Sequence, residues 1–232
     1  MEEKNKIEKR EEKIKEIIKK YKIDIEKLKL EQIKLSKELE IKDKIDFSLA
    51  DKFGAIDNVI IKNKIISCAI VCDKNFDILD KAYVVSKLRF PYIPGFRNYR
   101  EIEAMRLVFD RINERPDLFF IPAPGIIHQR LGLASHFGLV TGIPTIGISD
   151  VILGCEIKGD DIFRGNKKVG KVLLSKIGSK PIFISPGNYI SLETAFELTK
   201  KLIKPPHKNP EPIHLASKYA KHVLREIKDS LI

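Results

Sequence analysis

A change of hydrophobic period near residue 118 constrains the fold more than any other feature of this sequence. Before it, Ala55–Ile60 and Ile65–Cys72 are apolar runs separated by Lys62-Asn63-Lys64, a turn signal. They read as a β-hairpin, and Ala82–Leu88 continues it as a third strand. After it, Leu118–Ile121 and Thr145–Ile148 are short apolar runs on either side of Leu131–Val140, which has helical spacing. Strand–helix–strand implies a right-handed parallel crossover. Antiparallel strands followed by parallel ones predict an α/β fold, a mixed sheet with helices on its faces. Further strands are expected at Lys168–Leu174 and Pro181–Ile184, and helices at Glu101–Asn113, Leu192–Leu202 and Pro212–Asp229.

Residues 1–24 stand apart. They are dense in Lys and Glu, and Ile7, Ile14, Ile17, Ile18 and Tyr21 make one narrow helical stripe. This arm reads either as a solvated helix that frays alone or as a short docking element for a protein partner. The domain proper, 25–232, opens with a helix over Ile25–Glu40, whose apolar face is Leu28, Leu30, Ile33, Leu35 and Leu39. The chain carries a net charge of +11, which favours a polyanionic partner, most simply DNA or RNA. No apolar run approaches the roughly 18–20 residues that span a membrane, so no membrane partner is expected. Cys68, Cys72 and Cys155 are odd in number and lack zinc spacing. They read as reduced, mostly core thiols of a cytoplasmic protein.

The most informative loop is Arg89–Arg100, which contains Pro91-Tyr92-Ile93-Pro94-Gly95. Two prolines stiffen it, since each fixes its own φ and restricts the residue before it. A rigid loop presenting Tyr92 and Ile93 can wedge into a base stack from which a nucleotide has been turned out. A structural proline turn with a buried tyrosine is the plainer alternative.

Later segments add to this loop. Gly125-Ile126-Ile127-His128-Gln129-Arg130-Leu131-Gly132-Leu133-Ala134-Ser135-His136 leads into Gly142-Ile143-Pro144-Thr145-Ile146-Gly147. Ser185-Pro186-Gly187, read as a turn, and Pro210-Glu211-Pro212 follow. Together with the proline loop, and in this order, these segments resemble endonuclease V, the deoxyinosine-directed endonuclease. The resemblance runs from about Ile25 to the C-terminus. It implies a ribonuclease H-like fold that binds inosine-containing DNA or RNA and cuts the strand nearby with Mg²⁺. It also implies roles for matching residues. Tyr92 and Ile93 would be the wedge, backed by Pro94. Gly95, Gly125 and Leu131-Gly132 would form parts of the base pocket, with His128 beside it. Arg100 and Arg130 would hold phosphates.

The chain departs from the family where the metal belongs. The family holds Mg²⁺ with an Asp on the first strand, a Glu after the wedge loop, an Asp opening a D-G-x-G turn and a His in the last helix. Asp57 and Glu101 match the first two as metal ligands. The third position is Pro122 and the fourth is Ser217, and neither is an adequate ligand. A usual lysine is Asp150, and a usual histidine after Ser-Pro-Gly is Asn188. Mg²⁺ binding is therefore expected to be weak or lost. On one reading the chain recognises inosine or distorted strands without cutting. On the other it is an active endonuclease in which Asp150, emerging from a neighbouring parallel strand, joins Asp57 and Glu101 as the third catalytic carboxylate. Asp150 can equally be a helix N-cap. A third reading is a structural subunit with a closed pocket.

Overall fold

The structure is a computed structural model and describes residues 2–231. Ten-residue strands β1 (Lys52–Ile61), β2 (Lys64–Asp73) and β3 (Ile78–Lys87) form the antiparallel meander. Then β4 (Leu118–Ile121) pairs parallel to β1, and β5 (Thr145–Ser149) pairs parallel to β4. Short strands β6 (Glu156–Lys158), β7 (Asp161–Arg164), β8 (Lys167–Leu173) and β9 (Ile182–Asn188) complete a single sheet. Its order is β3-β2-β1-β4-β5-β9-β8-β7-β6. This is the expected mixed sheet, parallel in the middle and antiparallel on both flanks.

The middle strands are buried on both faces, as covered parallel strands are. Alternate side chains of β4 divide between two cores. Leu118 and Phe120 pack with α5 (Leu192–Lys201) and α6 (Glu211–Leu231), through Ala195, Leu198, Ile213 and Ala216. Phe119 and Ile121 pack with α3 (Arg97–Phe109) and α4 (Leu133–Thr141), through Met105, Val108, Leu133 and Phe137. Cys68 and Cys72 are buried within the sheet, and burial pushes both thiols up to about 12, which leaves them protonated and inert.

Helix α1 covers Glu2–Tyr21 and α2 covers Ile25–Ser36, capped by the Asp24 carboxylate. Three expectations need correction. The α2 helix stops a turn early, and none of its expected apolar face is fully buried, with Leu28, Leu35 and Leu39 half-buried and Leu30 67% and Ile33 43% accessible. The residue it buries is Gln32. The third helix begins at Arg97, not Glu101, because the turn Ile93–Phe96 closes on a Phe96 N–H to Ile93 carbonyl bond and Gly95 supplies φ +81°. Ser185-Pro186-Gly187 is strand rather than turn. It runs on through β9, with a register shift opposite Thr145/Ile146 that accommodates the proline.

Candidate nucleic-acid interface and carboxylate pair

The proline loop and the 124–133 segment enclose a cavity of about 580 Å³. Tyr92, Ile93, Pro94, Gly95, His128 and Arg130 all line it. Tyr92 is 55% exposed at its edge. Ile93 is only 3% exposed, so the loop presents the aromatic ring and uses the isoleucine as its own anchor in the protein. The Arg100 guanidinium stands 5.9 Å from the centre of the Tyr92 ring.

Arg130 is committed within the protein. Its Nε donates to Gln32 Oε1 at 2.6 Å, and its guanidinium lies 5.1 Å from the Phe96 ring centre. Gln32 Nε2 in turn donates to the Gly95 carbonyl at 3.1 Å and to Asn98 Oδ1 at 3.0 Å. One buried amide thus ties α2, the proline loop and the 124–133 segment together. His128 is half-buried beside Arg130 and Arg164, and desolvation together with those two cations pushes it down to about 4. It presents a neutral imidazole to the cavity at neutral pH.

Gly125 and Gly132 do not line the cavity. A Cβ on Gly125 would lie 2.0 Å from the Pro186 carbonyl oxygen, and one on Gly132 would lie 2.1 Å from that of Pro124. Here the glycines let protein backbones approach one another. Sequence reasoning missed three contributors. Arg164, from β7, donates to the backbone carbonyls of Ile127 and His128 and fixes the cavity wall. Val151 and Leu153, 63% and 71% exposed, stand at the rim, and their signal was an apolar Val-Ile-Leu run that forms no strand.

A second cavity, of about 300 Å³, adjoins the first across Arg97, Pro124, Ser149 and Val151. Pro122, Asp150 and Asn209 also line it. Glu101 is buried beneath Arg97, with its side chain 5% exposed. Arg97 Nε donates to Glu101 Oε1 at 2.6 Å, and its terminal nitrogen donates to Oε2 at 3.0 Å. Asn58 Nδ2 donates to Oε2 at 2.9 Å, and Arg97 also donates to the Pro122 carbonyl at 3.2 Å. The i, i+4 spacing on α3 creates this bidentate pair, and it is visible only once the helix is known to start at Arg97.

Asp57 faces α6 from β1. Burial pushes its carboxyl up, opposed by a hydrogen bond from Ser217 and by the charges of Arg97 and Lys221. Between its ordinary and raised values the folded state holds more proton than the unfolded, so stability falls as pH rises through that window. Asp57→Asn is therefore expected to raise Tm at pH 7 by about 2–4 °C. The gain should vanish at acid pH, as thermal melts across a pH series would show. An equal gain at every pH would assign it to packing instead. Asp150 is 69% exposed at its side chain and bonded to Lys208 Nζ at 2.6 Å. Among the described residues no third histidine, cysteine or carboxylate joins Asp57 and Glu101 in a cluster with all ligand atoms within 4.8 Å.

A model of the endonuclease V family matches residues 33–218. The chain belongs to the endonuclease V family. Endonuclease V of Thermosipho melanesiensis is 35% identical, over 90% of this chain and 92% of its own length. That of Archaeoglobus fulgidus is 35% identical, over 88% and 96%. Among solved structures, Bacillus subtilis endonuclease V superposes with a TM-score of 0.82 at 26% identity, covering 91% of this chain and 97% of its own. Ciona intestinalis endonuclease V in complex with a DNA containing an inosine superposes at 0.79, with 26% identity over 88% and 100%. The mixed sheet is thus the ribonuclease H-like fold of endonuclease V, and the proline loop and 124–133 segment fall inside the matched region.

Proposed function

We propose that this endonuclease V chain recognises inosine or distorted sites in DNA or RNA and has lost strand cleavage. One observation carries the reading: both oxygens of Glu101 are taken by the Arg97 guanidinium. Mg²⁺ keeps most of its waters and needs open carboxylate oxygens around it. The residues as they stand do not fit that ion. A fixed cation already neutralises Glu101, the third family position is Pro122, and Ser217 serves Asp57 as a hydrogen-bond donor. Recognition keeps its parts. The cavity is open, Tyr92 stands at its edge, and a neutral His128 offers a hydrogen-bonding wall without a charge.

The alternative, an active endonuclease using Asp57, Glu101 and Asp150, has one observation in its favour. Asp150, Arg97 and Pro122 line the same cavity. Labelled single- and double-stranded DNA and RNA, each with one inosine and matched to a guanosine control, separate the two when mixed with protein in Mg²⁺, Mn²⁺ or EDTA. Inosine-selective binding without cleavage is expected in all three. Cleavage that needs metal and disappears in Asp150→Ala would overturn the proposal. Tyr92→Ala is expected to weaken inosine binding about tenfold, the usual worth of one stacked aromatic. Unchanged affinity would remove the ring from the interface. On this reading the protein works in the cytoplasm, and residues 1–24 are an added arm available to a protein partner.

A further inference from the structure

The start of α6 gathers a set of side chains that strand recognition does not use. Glu211 opens the helix and its carboxylate is 9% exposed. His207, four residues earlier, places Nδ1 2.6 Å from Glu211 Oε2. His214, one turn into the helix, stacks its ring on that of His207, with centroids 3.6 Å apart and planes 16° apart. Among the described residues these three form the one group of His, Cys, Asp or Glu whose ligand atoms all lie within 4.8 Å of one another.

We infer that His207, Glu211 and His214 form a binding site for a zinc-class divalent ion, separate from the Asp57–Glu101 pair. The donor types select the metal. Two imidazoles and one carboxylate suit Zn²⁺, Co²⁺ or Ni²⁺, whereas Mg²⁺ prefers oxygen donors alone. Three protein ligands leave a fourth position for water. The short His207–Glu211 contact marks where the ion goes. It replaces the proton shared between Nδ1 and Oε2, and that proton leaves to solvent. The imidazole planes are nearly parallel, so the rings must turn about their Cβ–Cγ bonds to converge. Both are only partly buried. The His214 ring nitrogens have no hydrogen-bond partner among the described residues, so no existing bond opposes the turn.

Position gives the site a consequence. His214 lies one turn before Ser217 on α6. Lys208 and Asn209, which lie between His207 and Glu211, reach the cavity of Arg97 and Asp150, through the Lys208–Asp150 ion pair and the Asn209 lining. A bound dication would pin the α5–α6 connection and add positive charge beside that cavity. Its occupancy is independent of whether the strand is cut.

Co²⁺ is the probe, since its visible d–d bands report nitrogen ligation directly. The full chain, stripped of metal, should take up a single Co²⁺ with the appearance of such bands, and Zn²⁺ should abolish them. His214→Ala and His207→Gln, both at partly exposed positions, should melt like the parent in EDTA yet lose the bands. His222→Ala removes the exposed His222–Glu226 pair on the same helix and should keep them. Excess Mg²⁺ should leave the bands in place. No bands in the parent, or bands that survive in both His207→Gln and His214→Ala, would overturn the site.

Discussion

Arg97→Met is expected to destabilise the protein by about 3 kcal/mol in EDTA, because it leaves a buried carboxylate without its counter-ion. Glu101 is nearly inaccessible, and Arg97 supplies the charge and two of its three side-chain hydrogen bonds. The Arg97 side chain is itself 44% exposed, so water can reach part of the gap, which holds the loss toward the lower end of the range for buried pairs. The variant also carries a second signature. With the cation gone, both Glu101 oxygens are left open, and Mn²⁺ or Mg²⁺ should recover part of the lost stability. Arg97→Met combined with Glu101→Gln should melt closer to the parent and ignore metal. Urea unfolding with and without metal measures all of this. A loss below about 1 kcal/mol, an ordinary surface effect, would mean that Arg97 does not stand in for the ion.

Gln32→Leu should cost a similar amount, about 3 kcal/mol, by a different route. Leucine nearly fills the space, so packing is preserved while three hydrogen bonds go. Arg130 Nε, the Gly95 carbonyl and Asn98 Oδ1 each lose a partner. Burying a polar group without a partner costs more than its bond ever contributed. The functional readout is separable. Gly95 and Arg130 both line the larger cavity, so inosine binding should weaken even where the variant remains folded. A Gln32→Leu protein with parental stability would show that α2 rests on the loop without bracing it.

Much of this architecture is readable from the residues. The apolar runs within β1 and β2 and the turn at Lys62–Lys64 place the hairpin correctly, because β2 is buried along nearly its whole length and β1 over Phe53–Ile56. Asp57 and Glu101 are picked out by the resemblance to endonuclease V. Arg97 does not. Proline and glycine extend the apparent loop to Arg100, whereas helical backbone starts directly after Phe96, and only that start puts Arg97 over Glu101. Gln32 is hidden for another reason. A polar residue on a charged helix reads as solvated, and nothing local announces three distant partners. Strands β6 and β7 escape detection because they are short and polar, and β6 is wholly exposed. β7 pairs with β8 and β6 with β7, without any alternation of their own to announce it.

Those two strands form the last hairpin of the sheet, and they look like trimmings. The reach of Arg164 says otherwise. From β7 it crosses to the carbonyls of Ile127 and His128 and meets Cys155 Sγ at 3.1 Å. Anyone shortening this protein to a minimal scaffold would reach first for the far edge, where side chains are polar and the core is thin. That cut would take away the strut under the cavity wall, so the smallest version that keeps the cavity intact must keep its outermost hairpin.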